Sequence, residues 1–153
     1  MIELSFSAAD TGGADRGPRG TMDFASTDLY DLTCEAFWGP YTFRVEGADF
    51  SGTGPVLDLA LGLFTAAGEL AGAGRARYSA AGGAGEYRFE RRGGKETVRI
   101  HRERDGKGSA EYAEFESATR AFLGEVVRGL CDRFPDLRRN PEIRRLREAA
   151  AGG

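Results

Sequence analysis

The sequence predicts an α+β fold: an antiparallel sheet of about six strands, with two main helices and a short C-terminal helix packed on one face of the sheet. Three observations support this class. Short segments of alternating apolar and polar residues occur in runs separated by glycine turns. Two longer segments carry apolar residues at helical spacing. A further periodic segment follows an Asn-Pro pair near the C-terminus, which is typical of a helix start.

Six strands are expected from the alternating segments. The first covers residues 2–7. The second and third cover residues 30–36 and 41–46 and are joined by a turn at Gly39-Pro40. Each of the last three strands has its apolar residues on one face. These are Ala76, Tyr78 and Ala80 in the fourth strand, Tyr87 and Phe89 in the fifth, and Val98 and Ile100 in the sixth. A turn at residues 105–108 is expected to close the set.

Three helices complete the prediction. The first is expected to begin with Pro55 at its first helical position and to stop at Gly72 or Gly74. Residues 110–134 form the longest periodic segment, with acidic residues in its first turns and arginines near its end, as the helix dipole favours. The last helix is expected at residues 141–150. We expect strands and helices to form one α+β domain over residues 1–153.

Residues 8–20 are expected to form a mobile loop, because they contain no aliphatic residue larger than alanine and no periodicity. The N-terminal residues have no basic region or apolar run of signal-peptide length. The most apolar window, residues 56–70, is interrupted by Asp58 and Glu69 and is short for a bilayer span. We therefore expect a cytoplasmic protein without a membrane partner.

The charge is divided unevenly along the chain. Residues 1–74 contain eleven acidic residues and three arginines, for a net charge of −8, whereas residues 75–153 contain eighteen basic and thirteen acidic residues, for a net charge of +5. Asymmetry of this kind indicates an interaction surface without naming the partner.

No motif predicts catalysis. The chain has no GxSxG, P-loop or HExxH pattern, and its only histidine, His101, is interpreted as a solvated strand residue. The carboxylates at Asp23, Asp28 and Asp31 do not follow a calcium-loop pattern. The two cysteines, Cys34 and Cys131, share no CxxC spacing and are expected to be reduced thiols. We expect a protein that is not an enzyme and needs no cofactor or metal.

The sequence does not favour nucleic acid as a partner. The basic C-terminal segment LRRNPEIRRLRE could contact phosphates. However, it also carries Glu142 and Glu148, no aromatic residue lies between its arginines, and the whole chain has a net charge of −3.

Two blocks of the sequence carry a resemblance to known proteins: YTFRVEGADFSGTGPVLDLALGL and AFLGEVVRGLCDRFPDLRRNPEIRRL. The arrangement resembles small actinobacterial α+β proteins of uncharacterised families, among them immunity proteins encoded beside polymorphic toxins. This resemblance implies a cytoplasmic protein, without enzymatic activity, that binds and blocks one cognate toxin.

Two candidate binding surfaces follow from the residues. The first is acidic and includes the single tryptophan, since acidic surfaces speed association with basic partners and tryptophan is enriched at interfaces. Its residues are Asp23, Asp28, Asp31, Glu35, Trp38, Glu46 and Asp49. The alternative is a polar sheet face that would bind a small anion such as phosphate or carboxylate, with or without catalysis. Its residues are Arg75, Arg77, Arg88, Arg99 and His101. Exposed edge strands also make a homodimer possible.

Overall fold

The computed structural model describes residues 1–12, 23–83, 85–91 and 96–152 and has an α+β fold with two four-stranded antiparallel sheets. The strands of the first sheet are β1 (Ile2–Phe6), β2 (Trp38–Val45), β3 (Ala48–Asp49) and β4 (Gly52–Pro55). The strands of the second sheet are β5 (Arg75–Ser79), β6 (Glu86–Arg91), β7 (Thr97–Arg102) and β8 (Gly106–Glu111). The helices are α1 (Leu29–Cys34), α2 (Val56–Ala73), α3 (Tyr112–Arg133) and α4 (Pro141–Ala150).

The α+β class with antiparallel sheets is confirmed, but the single sheet of about six strands is not. The second sheet is a simple meander in the order β5-β6-β7-β8, and in the first sheet β2 pairs with all three other strands. The two sheets meet at one isolated bridge between Glu46, in the turn after β2, and Ser109 on β8. At this bridge the Ser109 amide donates to the Glu46 carbonyl at 3.0 Å.

The strand expected at residues 30–36 is wrong, because this segment forms α1. Asp28 caps the helix, and its side chain accepts a hydrogen bond from the Asp31 amide at 2.9 Å. In this helix the alternating apolar residues fall on different sides: Leu32 is fully buried, whereas Tyr30 is 69% exposed. The local cap therefore outweighs the alternation.

The hairpin turn expected at Gly39-Pro40 is also wrong, because β2 runs through both residues. Pro40 pairs with Thr53 of β4, whereas β1 ends opposite Tyr41. The Phe43 carbonyl accepts from the Phe50 amide at 2.7 Å, so by strand alternation the nitrogen of Pro40 faces away from β4. The missing N–H of proline therefore interrupts no hydrogen bond between strands.

The three helices expected from periodicity are present. The first begins one residue after Pro55 and ends at Gly74, whose left-handed φ of 73° suits glycine. The longest helix is α3, which is shorter than expected by two residues at its start and one at its end because residues 110–111 belong to β8. The last helix has the predicted bounds, with the Asn140 side chain accepting from the Glu142 amide at 2.9 Å.

The turn expected at residues 105–108 overlaps β8, which the alternation did not reveal. Strands β3 and β4 were also missed, since they are short and contain three glycine or proline residues between them. All three lack the β-branched and aromatic run that predicts a strand. Tertiary pairing therefore decides their conformation.

Residues 8–12, the start of the expected mobile loop, are held by hydrogen bonds, and residues 13–20 of that loop lie outside the described residues. Thr11 is fully buried and donates to the Ser7 carbonyl at 2.6 Å. The Arg133 side chain donates to the Thr11 carbonyl at 3.0 Å. This turn is thereby attached to the end of α3.

The core is one continuous cluster of buried residues that joins both sheets to α2 and α3. Tyr87 lies at its centre, with its ring centroid 5.8 Å from that of Phe43, 5.6 Å from that of Phe50 and 5.5 Å from that of Tyr78. The first two rings belong to the first half of the chain and the third to β5. Aromatic packing across the junction therefore unites the sheets.

Helix α2 has the length and the mean hydropathy, 1.4, of a helix that could cross a membrane. In this fold 44% of the same 18 residues are buried inside the protein. Core helices of other folded proteins share this composition.

We predict that Gly108→Ala destabilises the junction of the two sheets by about 1–3 kcal/mol through overpacking. A methyl group at this position would collide with the side chain of Val45 and come within 3.0 Å of the Glu46 carbonyl. The free energy of unfolding in guanidinium measures the effect.

The matched control is Gly68→Ala, on an exposed face of α2 where nothing lies within 4 Å of the added methyl group. It should stabilise the protein by about 0.5–1 kcal/mol through helix propensity. Equal effects of the two substitutions would contradict the close approach at Gly108.

Candidate functional site

The second sheet buries one face and presents the other to solvent. Ala76, Tyr78, Tyr87, Phe89 and Ile100 point into the core. We call the opposite side the outer face. Its described residues are Arg75, Arg77, Ser79, Glu86, Arg88, Glu90, Thr97, Arg99, His101, Lys107, Ser109 and Glu111. All of them are exposed or half-buried.

A row of basic side chains crosses all four strands of the outer face. The register places Arg77 opposite Arg88, Arg88 opposite His101, and His101 opposite Lys107. We call these four residues the cationic row. With strands about 4.8 Å apart, the row extends about 14 Å across the sheet. Arg77 and Arg88 are like charges directly opposite one another, which destabilises strand pairing, so folding alone does not favour this pair.

The acidic residues of the outer face neutralise part of this charge. Glu86 Oε1 lies 3.1 Å from the Nε atom of Arg88 and 3.9 Å from that of Arg77. In the adjacent row, Glu90 stands between Arg75 and Arg99 in the register. Ion pairs at this exposure contribute little to stability, and they leave the face open to a competing acid.

Arg99 and Lys107 make no ion pair within 4.0 Å in the part of the chain that the structure describes. Both line a depression of about 370 Å³ together with Arg75, Arg77, Arg88 and His101. The five residues of the predicted anion-binding face therefore lie together, and the structure adds Lys107 to them.

At one end of the outer face, a cleft of about 700 Å³ leads to the buried Arg102. One guanidinium nitrogen of Arg102 donates to the Tyr87 hydroxyl at 2.6 Å, and its Nε pairs with Asp105. Burial would lower the pKa of Arg102, but the hydrogen bond to Asp105 and the nearby Tyr87 together raise it. Arg102 therefore stays positively charged and lies buried at the base of the cleft.

Two tyrosines of this region are held neutral. Burial, and then the nearby Asp58, raise the pKa of Tyr78 well above its usual range, and its hydroxyl hydrogen-bonds the same carboxylate. Burial is also the main cause that raises the pKa of Tyr87. Neither hydroxyl can act as a base near neutral pH.

The acidic candidate surface is divided between two ends of β2. Asp23 lies in a turn, and Asp28, Asp31 and Glu35 cap or occupy α1. Trp38, at the start of β2, is half-buried. These residues lie near the start of β2.

Glu46 lies just beyond the other end of β2, about 26 Å from Trp38 along the strand, and Asp49 on β3 pairs with Arg44, about 20 Å from Trp38. Asp49 pairs with Arg44 at 3.1 Å, and the Ser51 hydroxyl and amide lower the pKa of this exposed carboxylate. The seven acidic-surface residues therefore do not form one patch.

The other charged candidates are engaged locally. Asp23, Asp28 and Asp31 take part in a turn and a helix start, and no group of three His, Cys, Asp or Glu among the described residues could hold a metal. Cys34 and Cys131 are free thiols. In the C-terminal segment, Arg138, Arg139 and Arg145 pair with Asp132, Asp136 and Glu142 at 2.8–2.9 Å.

Sequence reasoning missed Lys107 and the role of Arg102. Lys107 lay in a segment predicted as a turn, so nothing placed it beside His101. Arg102 follows the inward positions Val98 and Ile100 at the same two-residue spacing, and this parity is the signal that could have identified a buried arginine.

We predict that His101→Glu stabilises the fold by about 0.5–1 kcal/mol, because the new carboxylate faces Arg88 and Lys107. Guanidinium unfolding at pH 7 measures the change. His101→Gln is the uncharged control. A glutamate variant less stable than the glutamine variant would contradict the expected attraction to Arg88 and Lys107.

We predict that the protein loses stability as pH rises above about 10. An acid whose pKa is raised in the folded state stabilises the fold below its unfolded pKa, here 10.0, and this stabilisation disappears as the unfolded chain ionises. Tyrosinate absorbance followed together with circular dichroism tests this. Ionisation of all five tyrosines before any loss of structure would contradict it.

Comparison with known proteins does not assign the chain to a family. No family model matches it. No curated protein and no solved structure matches it either. The function must therefore be inferred from the geometry of the chain itself.

Proposed function

We propose that this protein is a binding protein, without enzymatic activity, that recognises an acidic protein partner through the outer face of the second sheet. The observation that carries the proposal is the cationic row, which aligns Arg77, Arg88, His101 and Lys107 on four adjacent strands. An acidic partner would offset the repulsion between Arg77 and Arg88 in this row.

The shape of the face supports a macromolecular partner over a small anion. Apart from Ala76 and Phe89, which belong to the buried face, the residues that line the depression over the row are exposed or half-buried. Small-ligand sites are usually concave and surround the ligand with a few convergent polar groups. Among the described residues, no buried side-chain nitrogen or oxygen lacks a hydrogen-bond partner.

The distribution of charge also supports the proposal. The first half of the chain is strongly acidic and the second half is basic. The outer face carries five arginine and lysine residues against three glutamates, and this local excess of positive charge steers an acidic partner toward it.

The test uses poly-L-glutamate as a defined acidic probe. We expect it to shift the amide resonances of residues 75–77, 88–90, 99–101 and 107–109, with an affinity that falls as salt rises. Lys107→Glu and Arg99→Glu should each weaken binding about tenfold. The matched control is Arg128→Glu, on an exposed position of α3.

Three outcomes would contradict the proposal. Resonance shifts confined to the arginines of α4 would place the binding site on that helix instead. Equal weakening of binding by Arg128→Glu would show nonspecific attraction. Saturable shifts with micromolar sulfate would assign the face to a small anion, the alternative expected from the sequence.

A second candidate function is the immunity-type role implied by the resemblance, in which an acidic surface binds a basic toxin. One observation favours it: Tyr30, 69% exposed, stands on α1 between Asp28 and Asp31. An exposed tyrosine surrounded by acids is a suitable interface anchor. Poly-L-lysine binding that is lost in Tyr30→Ala would support this role, and binding unaffected by that change would exclude α1 as the contact.

A further inference from the structure

Strand β5 is an edge of the second sheet whose outward backbone groups have no strand partner. The amides of Arg91 and Ala80 donate to the carbonyls of Gly74 and Gly85 at 2.8 and 3.0 Å. These bonds mark the hydrogen-bonded pairs of β5 and β6. Because such pairs alternate, the N–H and C=O groups of Arg75, Arg77 and Ser79 point away from β6.

The opposite edge of the same sheet is treated differently. On β8 the outward amide of Ser109 donates to the Glu46 carbonyl. The turn after β2 therefore holds that edge at one position. Within the described residues, no comparable bond reaches the outward groups of Arg75, Arg77 and Ser79. The two edges of this sheet thus differ: β8 is bonded to the turn at Ser109, and the outward groups of β5 are available for pairing.

A groove of about 440 Å³ lies beside β5. Its walls come from α1, through Leu29, Tyr30 and Thr33, and from α2, through Leu61 and Thr65. Tyr30 is one of two large hydrophobic side chains that are strongly exposed in the described chain. An added strand would place its inward side chains against these residues, as peptides do in domains that bind by strand addition.

The side chains of β5 define which strand would fit. Arg75 and Arg77 project on the outer face, and Ala76 and Tyr78 project toward the core. In an antiparallel pair, residues directly opposite one another share a face. The matching strand therefore alternates acidic residues, opposite the arginines, with apolar residues that enter the groove.

A second copy of the same chain is a poor occupant of this edge. Antiparallel pairing of β5 with itself would bring the arginines at 75 and 77 of both copies together on one face. Like charges in these positions destabilise strand pairing. Charge complementarity instead favours an acidic segment from another protein.

We propose that an extended segment of the acidic partner, with alternating acidic and apolar residues, adds to β5 as an antiparallel strand. This inference rests on the proposed function and makes it more specific. The added strand would place an acidic residue opposite Arg77, at the end of the cationic row. The contact is then made by backbone hydrogen bonds as well as by charge.

The test uses the fluorescently labelled peptide GEVEVEG and two N-methylated forms. In antiparallel addition, the glutamate amides face β5 and the valine amides face away. Methylating the central glutamate nitrogen should weaken binding about tenfold for the lost hydrogen bond. Methylating a valine nitrogen should leave the affinity unchanged. Fluorescence anisotropy measures both.

Protein variants provide an independent measurement. Arg77→Ala removes a charge, whereas Arg77→Pro also removes an amide that β6 does not use. The proline variant should bind the peptide about tenfold more weakly than the alanine variant. The thermal midpoint of each variant checks its folding. If the proline variant does not fold, the methylated peptides still decide.

The results separate the two proposals. Equal binding of all peptide forms, with loss in Lys107→Glu, would overturn strand addition and leave the outer-face function standing. Loss on valine methylation instead of glutamate methylation would overturn antiparallel addition. If poly-L-glutamate binds and no form of the peptide does, strand addition alone fails; if neither binds, both proposals fail.

Discussion

The packing of Tyr87 against aromatic rings from both halves of the chain is the interaction on which the rest of the structure depends. Its ring contacts Phe43 and Phe50 from the first sheet, and its hydroxyl accepts a hydrogen bond from Arg102. Among the described residues the two sheets share one backbone bridge, so side-chain packing has to hold them together. Burial of these rings supplies most of the attraction, and the buried arginine fixes their relative position because its polar groups tolerate few alternatives.

This junction has a consequence for the outer face. Once the inward residues of β6 and β7 are locked against the first sheet, the register of the second sheet cannot slip, since a shift by one residue would expose the aromatic side chains. The same register brings Arg77, Arg88, His101 and Lys107 into line. The repulsion between Arg77 and Arg88 is therefore tolerated by the core, and natural proteins tend to keep such local conflicts where a function uses them.

Prediction from sequence succeeded where local signals agreed and failed where they competed. Helices α2, α3 and α4 have strong apolar periodicity and clear terminal residues, so their bounds were close. Helix α1 was predicted as a strand because six residues are too few to separate the two periods. The predicted anion-binding residues do share one face, since alternation along neighbouring strands is a local property, whereas the acidic set is divided by the length of β2.

The sequence by itself determined the α+β class, the long helices, the inward and outward faces of β5, β6 and β7, and the separation of charge along the chain. All of these depend on residue spacing within one segment. The tertiary structure alone decided that there are two sheets, that β8 is a strand, and that β5 remains an available edge. These features depend on which distant segments meet, and Gly108 illustrates the reason: a residue with no side chain carries no periodic signal, yet it permits the close approach that brings β8 against the turn after β2.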